Sequence, residues 1–438
     1  MRVAVIGSGI SGMGAALALA PICDVRLFEA EDRFGGHAHT SEVRTRGRVH
    51  PVDTGFIVYN ERNYPNLCGL FEYLGVPTKW SDMSFGFSLG GGRMEWAGDS
   101  LDHVFAQRSN LLRPGFVRGV LDIVRFNASA ISAVDNGTLG EISLGDWLES
   151  EGYSSWLRDC YLLPMGGAIW STPIARMLDF PARNFLQFFR NHDLLSSLED
   201  RQRWRTVTGG SREYVRRLID QLGPRAIHGT AAVSIDRVGG QPIVTFSDGS
   251  RATFDHVILA CHGPQASRLL CDADAQERDA LGAFRTSTNR AILHSDPDLM
   301  PKRRKVWSSW NFISAGAAAD YQSSARVTYW LNRLQGLDRD CPFFLSLNPA
   351  VDPRLDLVHA EYEYAHPVMD TEAFTAQGRL QAVQGRRGVW YAGAWLGHGF
   401  HEDGLRSGLA AAAALGAAPE WARDLPEVPA STFAAAAE

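Results

Sequence analysis

A glycine-rich turn near the start of the chain constrains the fold more than any other feature of the sequence. A β-branched apolar run at Arg2–Ile6 predicts a buried strand, which leads into the string GSGISG and then into helix formers at residues 13–20. Glycines at these spacings allow a tight turn, close approach to a pyrophosphate and packing of the helix on the strand. We therefore predict a dinucleotide-binding unit whose contacts are Gly7, Ser8, Gly9, Ile10, Ser11 and Gly12.

A carboxylate follows at the position that this unit requires. The second predicted strand, Asp24–Phe28, ends at Glu29, about 20 residues beyond the first glycines. An acid at the tip of this strand accepts hydrogen bonds from the ribose of adenosine and disfavours a 2′-phosphate. Glu29 and the adjacent Ala30 are therefore predicted to contact the dinucleotide.

Composition excludes several classes of protein. With 438 residues, the chain is long enough for two large domains with substantial cores. The net charge of −6 argues against a nucleic-acid partner. Six cysteines without a C-x-x-C pair argue against a zinc or iron–sulfur site, so no metal is expected. The first strand begins at residue 2 and no apolar run is long enough to cross a bilayer, which predicts a cytoplasmic protein.

The segment after Glu29 indicates which dinucleotide is the cofactor. The string EAEDRFGGH resembles the E-x-x-x-R-x-G-G segment of the superfamily of FAD-dependent amine oxidases and phytoene desaturases. In that superfamily the segment wraps a second time around FAD. The resemblance implies contacts from Arg33, Gly35, Gly36 and His37. The string DTGF further along resembles a segment that runs along the flavin ring, which adds Asp53, Thr54, Gly55 and Phe56.

Later segments extend the resemblance over nearly the whole chain. The string TGGSRE near residue 210 resembles the re-entry helix of the superfamily, and the string VWYAGAWLGHGFHEDGLRSG resembles its closing motif. The resemblance places Val233 against the adenine and Cys261 at the end of a strand leading to the dinucleotide. It also implies contacts from Gly393, Ala394 and Ser407, and backbone N–H groups of Gly404 and Leu405 that stabilise negative charge on the reduced flavin. FAD should be bound without a covalent link, with His37 beside the pyrophosphate.

Three longer strings resemble a narrower group, the bacterial flavin-dependent fatty acyl desaturases of furan fatty acid synthesis. The strings are DTGFIVYNER, NHDLL and GFHEDG. This resemblance implies that the substrate is a methyl-branched fatty acyl chain of a phospholipid, that O2 is the electron acceptor and that a companion fatty-acid methyltransferase exists. Two alternatives stay open: a flavin amine oxidase acting on a small hydrophobic amine, and a flavin-binding protein that delivers lipid without turnover.

Two departures from amine oxidases affect the predicted chemistry. Ala394 replaces a glutamate that holds the ribityl chain in oxidases, and His401 replaces an aromatic ring of the amine-orienting cage. Desaturation also needs a base, for which His401, Glu402 and Asp403 are the candidates that the closing motif places near the flavin. The alternative interpretation is a helix-capping acid cluster beside a packed histidine.

The predicted architecture is an α/β fold of the amine-oxidase type. A discontinuous Rossmann-type, glutathione reductase-like FAD domain comprises residues 1–75, 205–270 and 385–418. An interleaved α+β substrate domain comprises residues 76–204 and 271–384, and residues 419–438 are expected to form a flexible tail.

Two segments have a second interpretation at the membrane. The amphipathic stretch 111–134 is typical of a helix covering a core, but it also suits a surface that rests on anionic lipid. The basic residues 302–305 suit a solvated turn or a contact with phospholipid headgroups. The lipid interpretation would add a peripheral contact at the inner face of the membrane.

Overall fold

The computed structural model describes residues 1–170, 174–195, 202–314 and 326–426. The strands are β1 Arg2–Ile6, β2 Asp24–Phe28, β3 Thr40–Thr45, β4 Arg48–Asp53, β5 Val58–Asn60, β6 Thr78–Ser81, β7 Phe85–Leu89, β8 Met94–Ala97, β9 Trp204–Val207, β10 Ala226–Ile227, β11 Ala232–Val238, β12 Gln241–Phe246, β13 Arg251–Thr253, β14 His256–Leu259, β15 Thr286–His294, β16 Trp310–Ser314, β17 Val327–Trp330, β18 Phe344–Leu347, β19 Val358–Pro367 and β20 Val389–Tyr391.

The α-helices alternate with these strands along the chain. They are α1 Ile10–Leu19, α2 Pro65–Tyr73, α3 Leu101–Val104, α4 Pro114–Asp135, α5 Leu144–Ser150, α6 Ser155–Leu157, α7 Leu163–Trp170, α8 Ala182–Asn191, α9 Arg212–Leu222, α10 Gly263–Leu269, α11 Ala275–Gly282, α12 Leu331–Leu334, α13 Thr371–Gln381 and α14 His401–Ala414. Among the described helices, none combines the length and the apolar character needed to cross a membrane.

A five-stranded parallel sheet carries the glycine-rich turn. Its order is β10-β2-β1-β14-β20, and β1 pairs with β2 on one side and β14 on the other. Helices α1 and α14 can cross closely because Gly408 has no side chain. A Cβ at this position would lie 2.1 Å from the carbonyl oxygen of Ser11. The predicted strand–turn–helix unit is confirmed, and the fold is the predicted α/β type.

The second large sheet forms the other side of the molecule. Its seven strands run in the order β19-β15-β18-β17-β16-β7-β8, with β16 and β7 parallel and the other pairs antiparallel. The predicted hairpin at residues 85–96 is confirmed as β7 and β8. Helices α4, α5, α7 and α8 pack against β7 and β8 in an aromatic-rich core.

The packing differs from the predicted boundaries at two places. Helices α11 and α13 lie in the predicted substrate domain, yet their Leu281 and Leu380 pack in one core with Val257 and Tyr391 of the parallel sheet. The start of the predicted flexible tail is also packed, because Trp421 stacks on Tyr73 with ring centroids 6.2 Å apart. Residues 427–438 of that tail and residues 171–173 lie outside the described part of the chain.

Candidate active site

The three glycines of the turn have different roles in the structure. Gly7 has a φ of +105°, and a Cβ there would lie 2.7 Å from the carbonyl oxygen of Ala260. A Cβ on Gly12 would lie 1.9 Å from the carbonyl oxygen of Gly7, so Gly12 allows α1 to pack on the turn. Gly9, at the N-cap of α1, has open space on its Cβ side. Phosphate groups can therefore approach the helix N-terminus at Gly9.

The end of β2 holds its carboxylate in a fixed position. Glu29 Oε2 accepts hydrogen bonds from Ser8 N at 2.8 Å and from Ser8 Oγ at 2.6 Å, and Oε1 accepts from Glu31 N at 3.0 Å. These contacts tie the acid to the glycine-rich turn. A ribose bound at the tip of β2 would therefore meet a preorganised acceptor.

The loop after Glu31 closes over the turn. Gly35 N donates to the carbonyl oxygen of Ser8 at 3.1 Å, and Arg33 Nη1 donates to the carbonyl oxygen of Gly36 at 3.0 Å. A Cβ on Gly36 would lie 3.1 Å from Gly9 Cα. The loop thus brings His37, the next residue, beside the glycine-rich turn.

A cavity of about 1570 Å³ begins at this turn and continues between the two large sheets. It exceeds the roughly 300–1,000 Å³ of ordinary small-molecule pockets, so it has room for a dinucleotide and a substrate. Most residues predicted from the sequence line it: Gly7, Ser8, Gly9, Ile10, Ser11, Glu29, Ala30, Arg33, Gly36, His37, Thr54, Gly55, Phe56, Val233, Cys261, Gly393, Ala394 and His401.

Asp53 is a correction to the predicted cofactor contacts. It does not line the cavity, and its carboxylate accepts hydrogen bonds from Thr40 Oγ1, Ser211 N and Ser211 Oγ at 2.5, 2.9 and 2.8 Å. Burial raises the pKa of this carboxyl to about 6. Asp53 therefore holds the start of α9 against β4 and supports its cavity-lining neighbours Thr54 and Gly55 from behind.

The closing segment also differs from the predicted arrangement. The Gly404 N–H donates to the carbonyl oxygen of Phe400 at 3.1 Å, and the Leu405 side chain is buried against Gly14. Ser407 Oγ accepts from Gly393 N at 2.9 Å. These three residues, together with Gly12 and Gly35, lie behind the cavity wall and shape it by packing. The cavity is instead lined by the first residue of α14, His401.

Glu402 and Asp403 do not have the geometry predicted for a catalytic base. Glu402 accepts from Asn66 N, Asn66 Nδ2 and Leu67 N at 2.9, 2.7 and 2.9 Å, so it caps the start of α2. Asp403 Oδ2 accepts from the backbone N–H groups of His398 and Phe400, both at 3.0 Å. Neither side chain lines the cavity. The alternative interpretation, a helix-capping acid pair, describes both.

His401 is the member of the predicted triad that reaches the cavity. Its ring stacks on Phe56 with centroids 3.9 Å apart and planes at 8°, and Nε2 lies 2.7 Å from the Tyr214 hydroxyl oxygen. Burial lowers the pKa of His401 to about 3, so the ring is neutral. Phe56 and Tyr214 hold the ring in one orientation.

Beyond this point the cavity becomes predominantly apolar, and we call this part the apolar arm. Its walls come from β7, β8 and helices α3, α4, α7 and α8. For residues 161–173 and 185–191 the sequence leaves a cavity wall and a packed core equally open, because aromatic and aliphatic side chains suit both. The residues that line the apolar arm are Phe87, Trp96, Leu101, Val104, Val120, Ile123, Val124, Tyr161, Met165, Ile169, Trp170 and Phe188.

Three histidines of the cavity wall were also missed. His192 stacks on Phe188 in the apolar arm with centroids 3.9 Å apart. His262 and His366 lie against His37, with ring centroids 5.7 and 5.3 Å from it. Burial lowers the pKa of His192 and of His366 to about 4. Tertiary contacts alone bring His37, His262 and His366 together, and no group suited to a metal ion occurs among the described residues.

The wall fits the cofactor that the sequence resemblance implies. Gly9 leaves an open approach to a helix N-terminus, and Glu29 is a fixed acceptor at the end of β2. His37 Nε2 is buried without a partner among the described residues, as expected of a donor or acceptor that awaits a ligand. Cys261 lines the same region, and burial raises the pKa of its thiol to about 12.

Comparisons with known proteins agree with this geometry. The family model of flavin containing amine oxidoreductase matches residues 10–294. AofH of Mycobacterium tuberculosis, named as a flavin-containing monoamine oxidase, is 26% identical over 285 residues, which cover 62% of this chain and 59% of AofH. Tryptophan 2-monooxygenase of Pseudomonas savastanoi is 26% identical over 354 residues, 70% of this chain and 60% of that protein. The chain thus spans about three fifths of the length of these curated relatives.

Solved structures share the fold over almost the full chain. Cyclohexylamine oxidase from Brevibacterium oxydans has a TM-score of 0.69 at 16% identity, covering 94% of this chain and 98% of that one. A fatty acid isomerase from P. acnes has a TM-score of 0.63 at 16% identity, covering 93% and 96%. These likenesses show the fold alone. The family match and the glycine-lined cavity show that the chain belongs to the flavin-containing amine oxidoreductase family and that its cofactor is FAD.

Proposed function

We propose that this protein is an FAD-dependent oxidoreductase that introduces a double bond into a fatty acyl chain of a membrane lipid, a methyl-branched chain as in furan fatty acid synthesis. The observation that carries the proposal is the apolar arm, which is continuous with the FAD region and is lined by aromatic and aliphatic side chains. Such a wall suits an alkyl chain, which needs burial but no polar anchor along its length.

The mouth of the apolar arm supports a lipid source. Leu101 of α3 and Val124 of α4 line the cavity and are also exposed at the surface, and further exposed aliphatic side chains lie on α4 and on the turn before it. We call these exposed residues the aliphatic rim: Leu101, Leu111, Leu112, Val117, Leu121 and Val124. Six large apolar side chains in one stretch are typical of a surface that enters a membrane interface.

Basic residues near the rim fit an anionic leaflet. Lys305 Nζ lies 2.5 Å from Asp102 Oδ2 on α3, so the basic turn 302–305 lies beside the aliphatic rim. Arg303 is paired with the buried Glu95 at 2.8 Å, which reduces the charge available to lipid. The electrostatic part of membrane binding should therefore be modest and sensitive to salt.

The reaction removes two hydrogens from adjacent carbons. Bound FAD supplies the acceptor for two electrons and one of these hydrogens, and a base must take the other as a proton. His192 has the suitable geometry, because its Nδ1 lies 3.0 Å from the Phe188 carbonyl oxygen. A carbonyl oxygen only accepts, so Nδ1 carries the proton and Nε2 has the free lone pair.

The position of His192 at the end of α8 partly offsets the effect of burial on its protonated form. It is the C-cap residue of α8, where the helix dipole stabilises a cation. Burial keeps the resting ring neutral, because it lowers the pKa of His192 to about 4. His401 is neutral as well, but its Nε2 is engaged with Tyr214. We therefore assign proton acceptance to His192 and orientation of the bound groups to His401.

The second candidate function is oxidation of a hydrophobic amine. It is favoured by Asp82, a carboxylate on the cavity wall that would attract an ammonium group. Arg333 Nε lies 3.0 Å from Asp82 Oδ1 and neutralises it, which favours the acyl substrate.

The test follows flavin bleaching without oxygen. Anionic vesicles containing methyl-branched acyl chains should bleach the flavin and sediment the protein, more at low salt than at high salt. Replacing Leu112 and Leu121 with Asp should abolish sedimentation, whereas the control Leu355→Asp, at a residue that is 90% exposed elsewhere, should not. Bleaching by small amines but not by these vesicles would establish the amine oxidase instead. His192→Gln should slow bleaching with unchanged vesicle binding.

A further inference from the structure

His366 joins the second domain to the cofactor region. It lies near the end of β19 in the seven-stranded sheet, and its ring lines the cavity. Its centroid is 5.3 Å from that of His37, which follows the loop closed over Gly9. His366 therefore faces the part of the cavity that holds the dinucleotide, although it comes from the sheet that the sequence assigns to substrate binding.

A backbone amide fixes the first step of a hydrogen-bond chain that ends at this ring. The backbone N–H of Arg290 donates to Asn348 Oδ1 at 3.0 Å. A backbone N–H can only donate, so the oxygen of the Asn348 amide must face Arg290. The nitrogen of that amide then faces Asn289, and Asn348 Nδ2 donates to Asn289 Oδ1 at 2.7 Å.

The same logic fixes the second step. With its oxygen facing Asn348, Asn289 presents Nδ2 to His366 Nδ1 at 2.8 Å. Asn289 Nδ2 also lies 3.3 Å from the carbonyl oxygen of Ser287, which accepts only, and this contact agrees with the assignment. His366 Nδ1 must therefore accept, so in the neutral ring the proton is on Nε2.

Burial keeps the ring neutral, since it lowers the pKa of His366 to about 4. The hydrogen bond of His366 among the described residues is at Nδ1, which leaves its Nε2–H group without a protein acceptor there. The Nε2–H group lies on the edge of the ring away from Asn289, and His366 is one of the residues that line the cavity. A fixed donor without a protein acceptor is the arrangement expected of a group that binds a ligand.

We propose that His366 is a cofactor-binding residue that donates an Nε2–H hydrogen bond to FAD, and that Asn348 and Asn289 act as positioning residues that fix its tautomer. The second domain would thereby contact the cofactor directly. The proposal concerns FAD and does not depend on which substrate the enzyme oxidises.

The tautomer can be tested without any variant. A two-bond ¹H–¹⁵N correlation spectrum of the FAD-bound protein, with histidines labelled, should show His366 as the Nε2–H form. An Nδ1–H or doubly protonated ring would overturn the proposal. The histidine signal that is absent from the spectrum of His366→Asn is assigned to His366.

The cofactor contact is tested by titrating FAD into apoprotein. His366→Asn and Asn289→Leu should weaken FAD binding about five-fold, the effect of one ordinary hydrogen bond. His366→Gln should bind more nearly like the parent, because its amide nitrogen reaches the position of Nε2. His359→Asn, on the same strand but outside the cavity wall, is the control. Circular dichroism checks that each apoprotein is folded, and parent-like affinity in folded His366→Asn and Asn289→Leu would refute the contact.

Discussion

Replacement of Glu402 distinguishes a structural acid from a catalytic one. Its carboxylate accepts three hydrogen bonds from Asn66 and Leu67 at the start of α2, and it is 7% exposed. Glu402→Ala leaves these buried donors without an acceptor. Each hydrogen bond to a charged group contributes about 1.5–3 kcal/mol, but water entering the vacated space recovers part of the sum. We expect a loss of about 3–5 kcal/mol in the free energy of unfolding.

The glutamine variant gives the sharper comparison. Glu402→Gln keeps one accepting oxygen and turns an NH2 group towards a donor, so we expect a loss of about 1.5–3 kcal/mol. Urea unfolding of the FAD-saturated protein, followed by tryptophan fluorescence, measures this change. Glu61→Gln, in which the exposed acid pairs with Arg205, is the matched control and should change stability by less than about 1 kcal/mol. A Glu402→Gln protein with parental stability but no flavin bleaching by substrate would refute the structural assignment.

Three further predictions follow from the packing. Gly9→Ala should leave the apoprotein as stable as the parent but weaken FAD binding at least about ten-fold, because its Cβ would occupy the open space at the helix N-terminus. Gly12→Ala should destabilise the apoprotein, because its Cβ would collide with the backbone of Gly7. Thermal melts of the apoprotein and FAD titrations separate the two effects. Burial lowers the pKa of His294 from 6.5 to about 4. Below pH 6.5 the unfolded chain therefore binds a proton that the folded chain does not, and stability decreases as the pH decreases. This histidine should contribute about 2 kcal/mol to the loss between about pH 7 and about pH 5, and urea unfolding of His294→Asn should show a shallower pH dependence. Trp421→Ala should lower the free energy of unfolding by about 1–2 kcal/mol, because Trp421 packs against the core formed by α1, α2 and α14; an unchanged urea midpoint would support the flexible tail instead.

Local sequence determined the dinucleotide-binding end of the cavity. The run from Arg2 to Glu29 carries strand, turn, helix and acid within one continuous segment, so spacing along the chain sets their geometry. The glycines at positions 7 and 12 are required by backbone contacts that form within this unit and its neighbouring strand. Arg33, Gly36 and His37 were predicted from the resemblance of their segment to the FAD-binding segment of the superfamily, and they lie on the cavity wall.

Tertiary structure decided the roles of the acids and the histidines. Glu402 and Asp403 follow His401 directly, but one helical turn points the three side chains in different directions, and only packing against α2 shows which one reaches the cavity. His366 acquires its tautomer from Asn289, which is distant in the sequence, whereas the tautomer of His192 is set within its own helix by the carbonyl oxygen of Phe188. The apolar arm was likewise undecided between a cavity wall and a packed core, because the sequence specifies apolar side chains but not whether the space between them is filled.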